Sequence, residues 1–183
     1  MGRLKKLDPT KITGYQKELY DRIAAQRGAV RGPFNAWLYS PELCDKVEAL
    51  GKYVRFDSDI SMLLKEVAVL VIARNATSQY VWQAHERFAL KHGVSQPVID
   101  AIADNQDPDF PTKDERIIYT YTMELVKTFR VSDATWKAMV EMLDEPRVVE
   151  FTAFIGNFNM VCMAVNAFAV DLPAGQEPRL SEA

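Results

Sequence analysis

Residues 62–93 read MLLKEVAVLVIARNATSQYVWQAHERFALKHG, and the choice between strand and helix in their first half decides the fold. The run VAVLVI (67–72) has the β-branched content of a buried strand. A lone strand has nothing to pair with, however, and nowhere else does the chain alternate with period two over a useful length. Residues 62–74 are therefore read as an apolar helix. Asn75, Ala76 and Thr77 interrupt it, and a second helix spans residues 78–92 and stops at Gly93. Ser78, Val81, Trp82 and His85 share one face of that second helix by their spacing of three and four.

Working outward, the remaining punctuation is also helical. Thr13 caps a segment carrying Tyr15, Leu19, Ile23 and Ala24 that Gly28 would end. Residues 28–40 (GAVRGPFNAWLYS) read as irregular. Ser40 and Pro41 then open a helix with Leu43, Val47, Leu50 and Val54 at helical spacing. Toward the C-terminus, Ser95 and Pro97 start a short helix to about Ala103, and residues 104–111 form a loop. Thr112 and Glu115 form a capping box ahead of Ile117, Ile118, Tyr121, Leu125 and Val126. Ser132 or Asp133 caps a helix to about Leu143, and Pro146 opens the last one, through roughly Phe168. The polar tail after Pro173 reads as mobile. The chain thus reads as an all-α bundle of about seven or eight helices, one domain over residues 1–183 with a core at about 28–170 and a tail at 173–183. The loop near Asp107 is the only candidate seam.

Composition bounds the function. At 183 residues and 48% hydrophobic, the chain can bury a core without disulfides and is too apolar for disorder. A net charge of −3 argues against nucleic acid as a partner. No apolar run reaches the roughly 20 residues that span a bilayer, so no membrane role is expected. Two distant cysteines, Cys44 and Cys162, fit a reduced, cytoplasmic protein. The last helix is apolar nearly all round (Phe151, Phe154, Ile155, Phe158, Met160, Val161, Met163, Val165), which predicts a homo-oligomer. Its Asn157, Asn159 and Asn166 suit helix–helix hydrogen bonds. Asn159 and Asn166 lie two turns apart on one face, so one of them, with Asn166 the candidate, could reach a pocket instead.

Glu66 lies in so apolar a run that its helix must be buried, and a buried carboxylate needs a partner. If the two central helices fold back on each other, Glu66 faces the Ser78–His85 turns. A carboxylate beside an imidazole is a competent acid–base pair near neutral pH, though such pairs also serve structure alone.

Glu66, the apolar helix after it, Arg74, Ser78-Gln79-Tyr80-Val81 and His85 together resemble the core motif of the carboxymuconolactone decarboxylase and alkyl hydroperoxidase D (AhpD) superfamily. Arg31-Gly32-Pro33-Phe34-Asn35 with Ser40-Pro41, and the closing residues 157–168, resemble its decarboxylase-like branch, so the likeness runs from about Gly28 to Phe168. It implies an all-helical, AhpD-like fold assembling as trimers or hexamers, with the active site between helices near a subunit interface. Glu66 and His85 match the motif's Glu and His. Ser78 and Val81 stand where the hydroperoxidase branch carries its two redox cysteines, and without an attacking and a resolving thiol that chemistry is not expected. The decarboxylase-like branch implies proton transfer with no cofactor.

Other chemistries fit less well. His85 and His92 are two turns apart and cannot chelate one ion, and Ala89 occupies the second ligand position of a His-Glu-x-x-His motif, so no metal is expected. Ser78 lies too far from His85 along the helix to act as its nucleophile and reads as a cap or a substrate contact. There is no glycine-rich phosphate loop. Tyr80, Trp82 and Phe34 are expected to shape a pocket, and Arg31 or Arg74 to hold a substrate carboxylate. Trp136, Met123, Met139 and Met142 read as core. The expected function is a cofactor-independent enzyme on a small cyclic or aromatic-derived acid or lactone, of the carboxymuconolactone decarboxylase type, with His85 and Glu66 catalytic. The alternative is a non-enzymatic ligand-binding or assembly protein that has lost the peroxidase cysteines. An open, aromatic-lined cavity reaching His85 favours the first; an imidazole sealed by Trp82 and the last helix favours the second.

Overall fold

The computed structural model describes residues 2–182, and among them nine α-helices follow one another: α1 (Gly14–Arg27), α2 (Phe34–Trp37), α3 (Pro41–Lys52), α4 (Met62–Asn75), α5 (Gln79–Lys91), α6 (Gln96–Ala103), α7 (Lys113–Thr128), α8 (Asp133–Leu143) and α9 (Glu145–Ala167). A π-helical turn, Tyr53–Asp57, runs on from α3. No strand occurs among the described residues. The run 67–72 is the middle of α4, where every residue from Leu64 to Arg74 is buried. Its strand-like look has a simple cause. A helix enclosed by α5, α6, α7 and α9 has no solvent face, so it needs no polar stripe.

The helix count exceeds the expected seven or eight because residues 28–40 are less irregular than they read: Pro33 leads directly into the four-residue α2. The predicted caps form in part. Thr13 and Ser40 occupy N-cap positions without capping hydrogen bonds, whereas Ser132 accepts from the Thr135 amide and Thr112 from the Glu115 amide. The Thr112 hydroxyl donates to the Glu115 carboxylate at 2.8 Å, so the return bond of a full capping box is missing.

Two hydrophobic clusters result. The larger surrounds α4, with Trp82, Ile118, Met139, Phe151 and Phe154 fully buried. The smaller joins α1, α2 and α3 to α9 through Leu19, Ile23, Trp37, Leu38, Val47 and Ala164. At 23 residues, α9 is long and apolar enough by length and composition to cross a bilayer, although polar residues interrupt it and no continuous apolar run of that length exists. Half of its most apolar stretch is buried inside this fold. Val149 and Met163, each 66% exposed, are its uncovered apolar side chains.

The tail is not free. Leu180 is buried, and Gln79 grips it three ways: Oε1 accepts from the Arg179 and Leu180 amides at 3.0 Å each, and Nε2 donates to the Leu180 carbonyl at 2.6 Å. Arg179 also pairs with Asp100 and Asp104. Its polar composition masked one apolar anchor, Leu180, and a receptor for its backbone on α5. Deleting residues 174–183 is expected to cost about 2 kcal/mol or more. In the intact chain the Arg179 and Leu180 amides should exchange hydrogen slowly; exchange at the rate of an unstructured peptide would return the tail to the mobile state its sequence suggested.

Candidate active site

The turn at 76–78 makes the site. Thr77 takes a left-handed conformation (φ 44°), and the Ser78 amide donates to the Ala73 carbonyl at 2.8 Å, so α5 folds back along α4. Glu66 and His85 thereby meet: Nδ1 of His85 lies 2.7 Å from Oε2 of Glu66. The other carboxylate oxygen accepts from Nη2 of Arg55 at 2.8 Å. Glu66 is fully buried, while the side chains of His85 and Arg55 are each 12% exposed.

Arg55 was not foreseen, although the rule that a buried carboxylate needs a partner asked for a cation. It sits on the π-helical turn, which no sequence pattern announced. Lys65, 1% exposed, donates from Nζ to the carbonyls of Arg55 (2.9 Å) and Ser58 (3.0 Å). Consecutive residues of α4 thus hold Arg55 at both ends, Lys65 by its backbone and Glu66 by its guanidinium. The guanidinium carbon lies 5.4–5.7 Å from the ring centres of Phe56, Phe88 and Phe158.

The protonation states follow from burial and charge. Burial alone would raise the Glu66 pKa, but His85 and Arg55 together outweigh it and hold the carboxyl below its ordinary value. Burial pushes the His85 imidazole down, against the pull of Glu66, so the ring is neutral near pH 7. A neutral imidazole whose Nδ1–H donates to a carboxylate keeps its lone pair on Nε2, the nitrogen left for a ligand.

His85 lines a cavity of about 460 Å³ between the two hydrophobic clusters. Phe34, Trp37 and Val47 come from the smaller cluster, and Val81 and Phe158 from the larger. Its charged lining is cationic, namely Arg27, Arg55 and Lys91, with no carboxylate among the described lining residues. Arg27 pairs with buried Glu48 at 3.5 Å and covers the Phe34 ring.

Of the expected site residues, His85, Tyr80 and Phe34 line this cavity, and Glu66 stands directly behind His85. The others lie elsewhere. Trp82 is fully buried in the main core and does not line the cavity. Ser78, also fully buried, packs beside the Cys162 thiol and makes no capping hydrogen bond. Arg31 lines a separate cavity of about 700 Å³ with Arg3, Lys5 and Lys6, which meets the first only at Tyr80. Arg74 is buried and ties down the tail, bonding Asn105 and the Ser181 carbonyl. Asn166 donates to the Ala76 carbonyl at the end of α4. Helical spacing put Ser78 and Trp82 on the His85 face of α5, but that face is divided: Val81, Ala84, His85 and Phe88 line the cavity, while Ser78 and Trp82 are buried in the core. Asn157 lines the cavity and had been read as a helix–helix bond.

Cys44 and Cys162 are both buried, and burial pushes each thiol up to about 12, so neither is a thiolate near neutral pH. Among the described residues, no three His, Cys, Asp or Glu side chains group to hold a metal ion.

No protein-family model matches the sequence, and no curated protein matches it. Solved structures do. An uncharacterized peroxidase-related protein from Ralstonia eutropha JMP134, with an alkylhydroperoxidase AhpD core, superposes with TM-score 0.77 at 15% identity over 94% of this chain and 93% of its own. An uncharacterized peroxidase-related protein from Silicibacter sp. TM1040 gives 0.75 at 14% identity over 94% and 92%. A cysteine-to-alanine variant of the debrominase Bmp8, in complex with 2,3,4-tribromopyrrole, gives 0.64 at 16% identity over 86% and 85%. The chain therefore has the AhpD-like fold.

Proposed function

We propose that this AhpD-like chain is a cofactor-independent enzyme that moves a proton on a small cyclic or aromatic-derived acid or lactone, with decarboxylation of the carboxymuconolactone type as its best-fitting reaction. The observation that carries the proposal is a neutral His85, fixed through Nδ1 to an ionised Glu66, on the wall of an accessible apolar cavity with a cationic lining. The Bmp8 complex, in which a protein of this fold holds a small ring, supports a ring-sized ligand. An imidazole sealed by Trp82 and the last helix would have favoured the non-enzymatic alternative; Trp82 lies away from the cavity, and from the last helix Phe158 packs edge-on against a ring that still lines it.

In this scheme the acid's carboxylate is met by Lys91 or by Arg27, whose contact with Glu48 is long at 3.5 Å, whereas Arg55 is held by Glu66 at 2.8 Å. Nε2 of His85 takes a proton from the carbon next to a carbonyl and returns it, which is isomerisation or exchange. In decarboxylation the bond to the carboxylate carbon breaks as CO2 leaves. Its electron pair enters the conjugated carbonyl as a dienolate. His85, protonated from solvent once the anion is bound, then delivers one proton to carbon. Glu66 orients the imidazole and stabilises its cation. We further propose that several copies assemble through α9, a helix apolar nearly all round whose Val149 and Met163 stay exposed in the single copy.

The test is a set of muconolactone-like and other small ring acids incubated with the protein in D2O, followed by NMR for deuterium at carbon and for CO2 release. At least one acid should exchange, at a rate that rises with pH to a plateau. The midpoint should lie below the ordinary imidazole value of 6.5 because the His85 pKa is lowered. No exchange with any acid, or a rate whose rise is centred above the ordinary imidazole value of 6.5, would remove the proposal.

A further inference from the structure

Three asparagines lie on α9, and two are satisfied. Asn159 donates to the Ile155 carbonyl at 3.0 Å and Asn166 to the Ala76 carbonyl at 2.9 Å. Asn157 differs. It is 6% exposed, it lines the His85 cavity, and its carboxamide oxygen has no hydrogen-bond partner among the described residues. A buried amide left unpaired is destabilising, so such a group in a native cavity calls for an explanation.

The facing wall provides one. Gly51 on α3 lines the same cavity, and a Cβ added there would lie 3.7 Å from both carboxamide heavy atoms of Asn157. A glycine inside a helix weakens it relative to alanine, and here no unusual backbone angle requires one. Its effect is that no side chain from position 51 packs onto the amide, whose oxygen is buried without a partner. The cavity therefore offers two kinds of recognition: cations for an anion, and an unused amide for a neutral polar group.

We infer that Asn157 is a ligand-recognition residue and that the cavity takes ring acids carrying a second, hydrogen-bonding oxygen, such as a hydroxyl or enol, in preference to the same acids without it. The inference rests on the anion-binding part of the proposed function. A hydroxyl both donates and accepts, so it satisfies the amide in either orientation. A site built around a hydrogen-bonding group also rejects the analogue that leaves its own polar atom unpaired.

The experiment is calorimetric titration with benzoate and the three monohydroxybenzoates, on the wild type and on Asn157→Leu and Gly51→Ala. At least one hydroxybenzoate should bind wild type about tenfold or more tightly than benzoate. Asn157→Leu should erase that preference, keep benzoate affinity within about threefold, and unfold no earlier than wild type, because an unpaired amide has been replaced by an apolar group of similar size. Gly51→Ala should also blunt the preference by covering the amide, while folding at least as stably. Equal affinities of all four acids in wild type would overturn the inference and leave the anion-binding cavity intact. An undiminished preference in Asn157→Leu, or a lowered unfolding temperature there, would overturn it in favour of a structural amide. If no acid binds wild type, the cationic-cavity reading falls and the inference with it.

Discussion

Glu66→Ala is expected to cost the fold about 3–5 kcal/mol, measured as a shift in the denaturant midpoint at unchanged slope. The carboxylate is fully buried and serves two partners, Arg55 at 2.8 Å and His85 at 2.7 Å. Removing it leaves a guanidinium ringed by Phe56, Phe88 and Phe158 with no counter-charge, while Lys65 still pins the Arg55 backbone in place. The charge cannot be relieved by neutralisation, since arginine does not deprotonate in proteins. For a chain of this size the loss corresponds to roughly 10 °C in unfolding temperature. Glu66→Gln keeps the shape and should lose less. A cost below about 1 kcal/mol would mean that Arg55 finds water, and that the cluster is not the sealed unit its geometry describes.

The same cluster sets the response to acid. The pKa of Glu66 is held below its ordinary 4.5, so its contribution is complete above that value and is lost as pH falls through the lower native one. The pKa of His85 is lowered from 6.5 by burial, so its exclusion of a proton costs nothing above 6.5 and destabilises the fold increasingly below it. Both effects weaken the fold on acidification, the imidazole first and the carboxylate later. Glu66→Gln should abolish the later loss and retain the earlier one.

The Glu66–His85 pairing was legible because it depends on local facts: an apolar helix, a stop at residues 75–77, and residues at helical spacing. The same logic placed most helices. What stayed hidden depends on contacts between distant segments. Leu180 reads as one apolar residue in a polar tail, and only the pocket formed beside Gln79 makes it an anchor. Arg55 reads as a surface arginine after Val54 because nothing in its neighbourhood signals a π-helical turn. Trp82 and Tyr80 are two apart on α5, so they cannot both face the cavity, and the sequence does not say which one does. The cysteines are informative in another way. Scarcity and spacing argued against thiol chemistry, and burial of both thiols supplies an independent reason.

His85→Ala is expected to lower the exchange or decarboxylation rate by about 10²–10⁴-fold while moving the unfolding midpoint by only a few degrees. The asymmetry with Glu66→Ala follows from what each removal leaves behind. Without His85, the carboxylate still has Arg55, so no buried charge is orphaned. The ring surrenders edge contacts with Phe158 and Phe88 on the cavity wall, where its side chain is already 12% exposed and solvent can fill the space. The chemistry has no comparable reserve. His92 also lines the cavity, but it caps α5 two turns beyond His85, and among the described residues no carboxylate bonds it. The vacated ring volume gives a further readout: added imidazole should restore part of the rate in His85→Ala and none in Glu66→Ala, where the native ring still occupies the space. Loss of fold in proportion to rate would assign His85 a structural role. A rate unchanged in His85→Ala would move the proton transfer to another group.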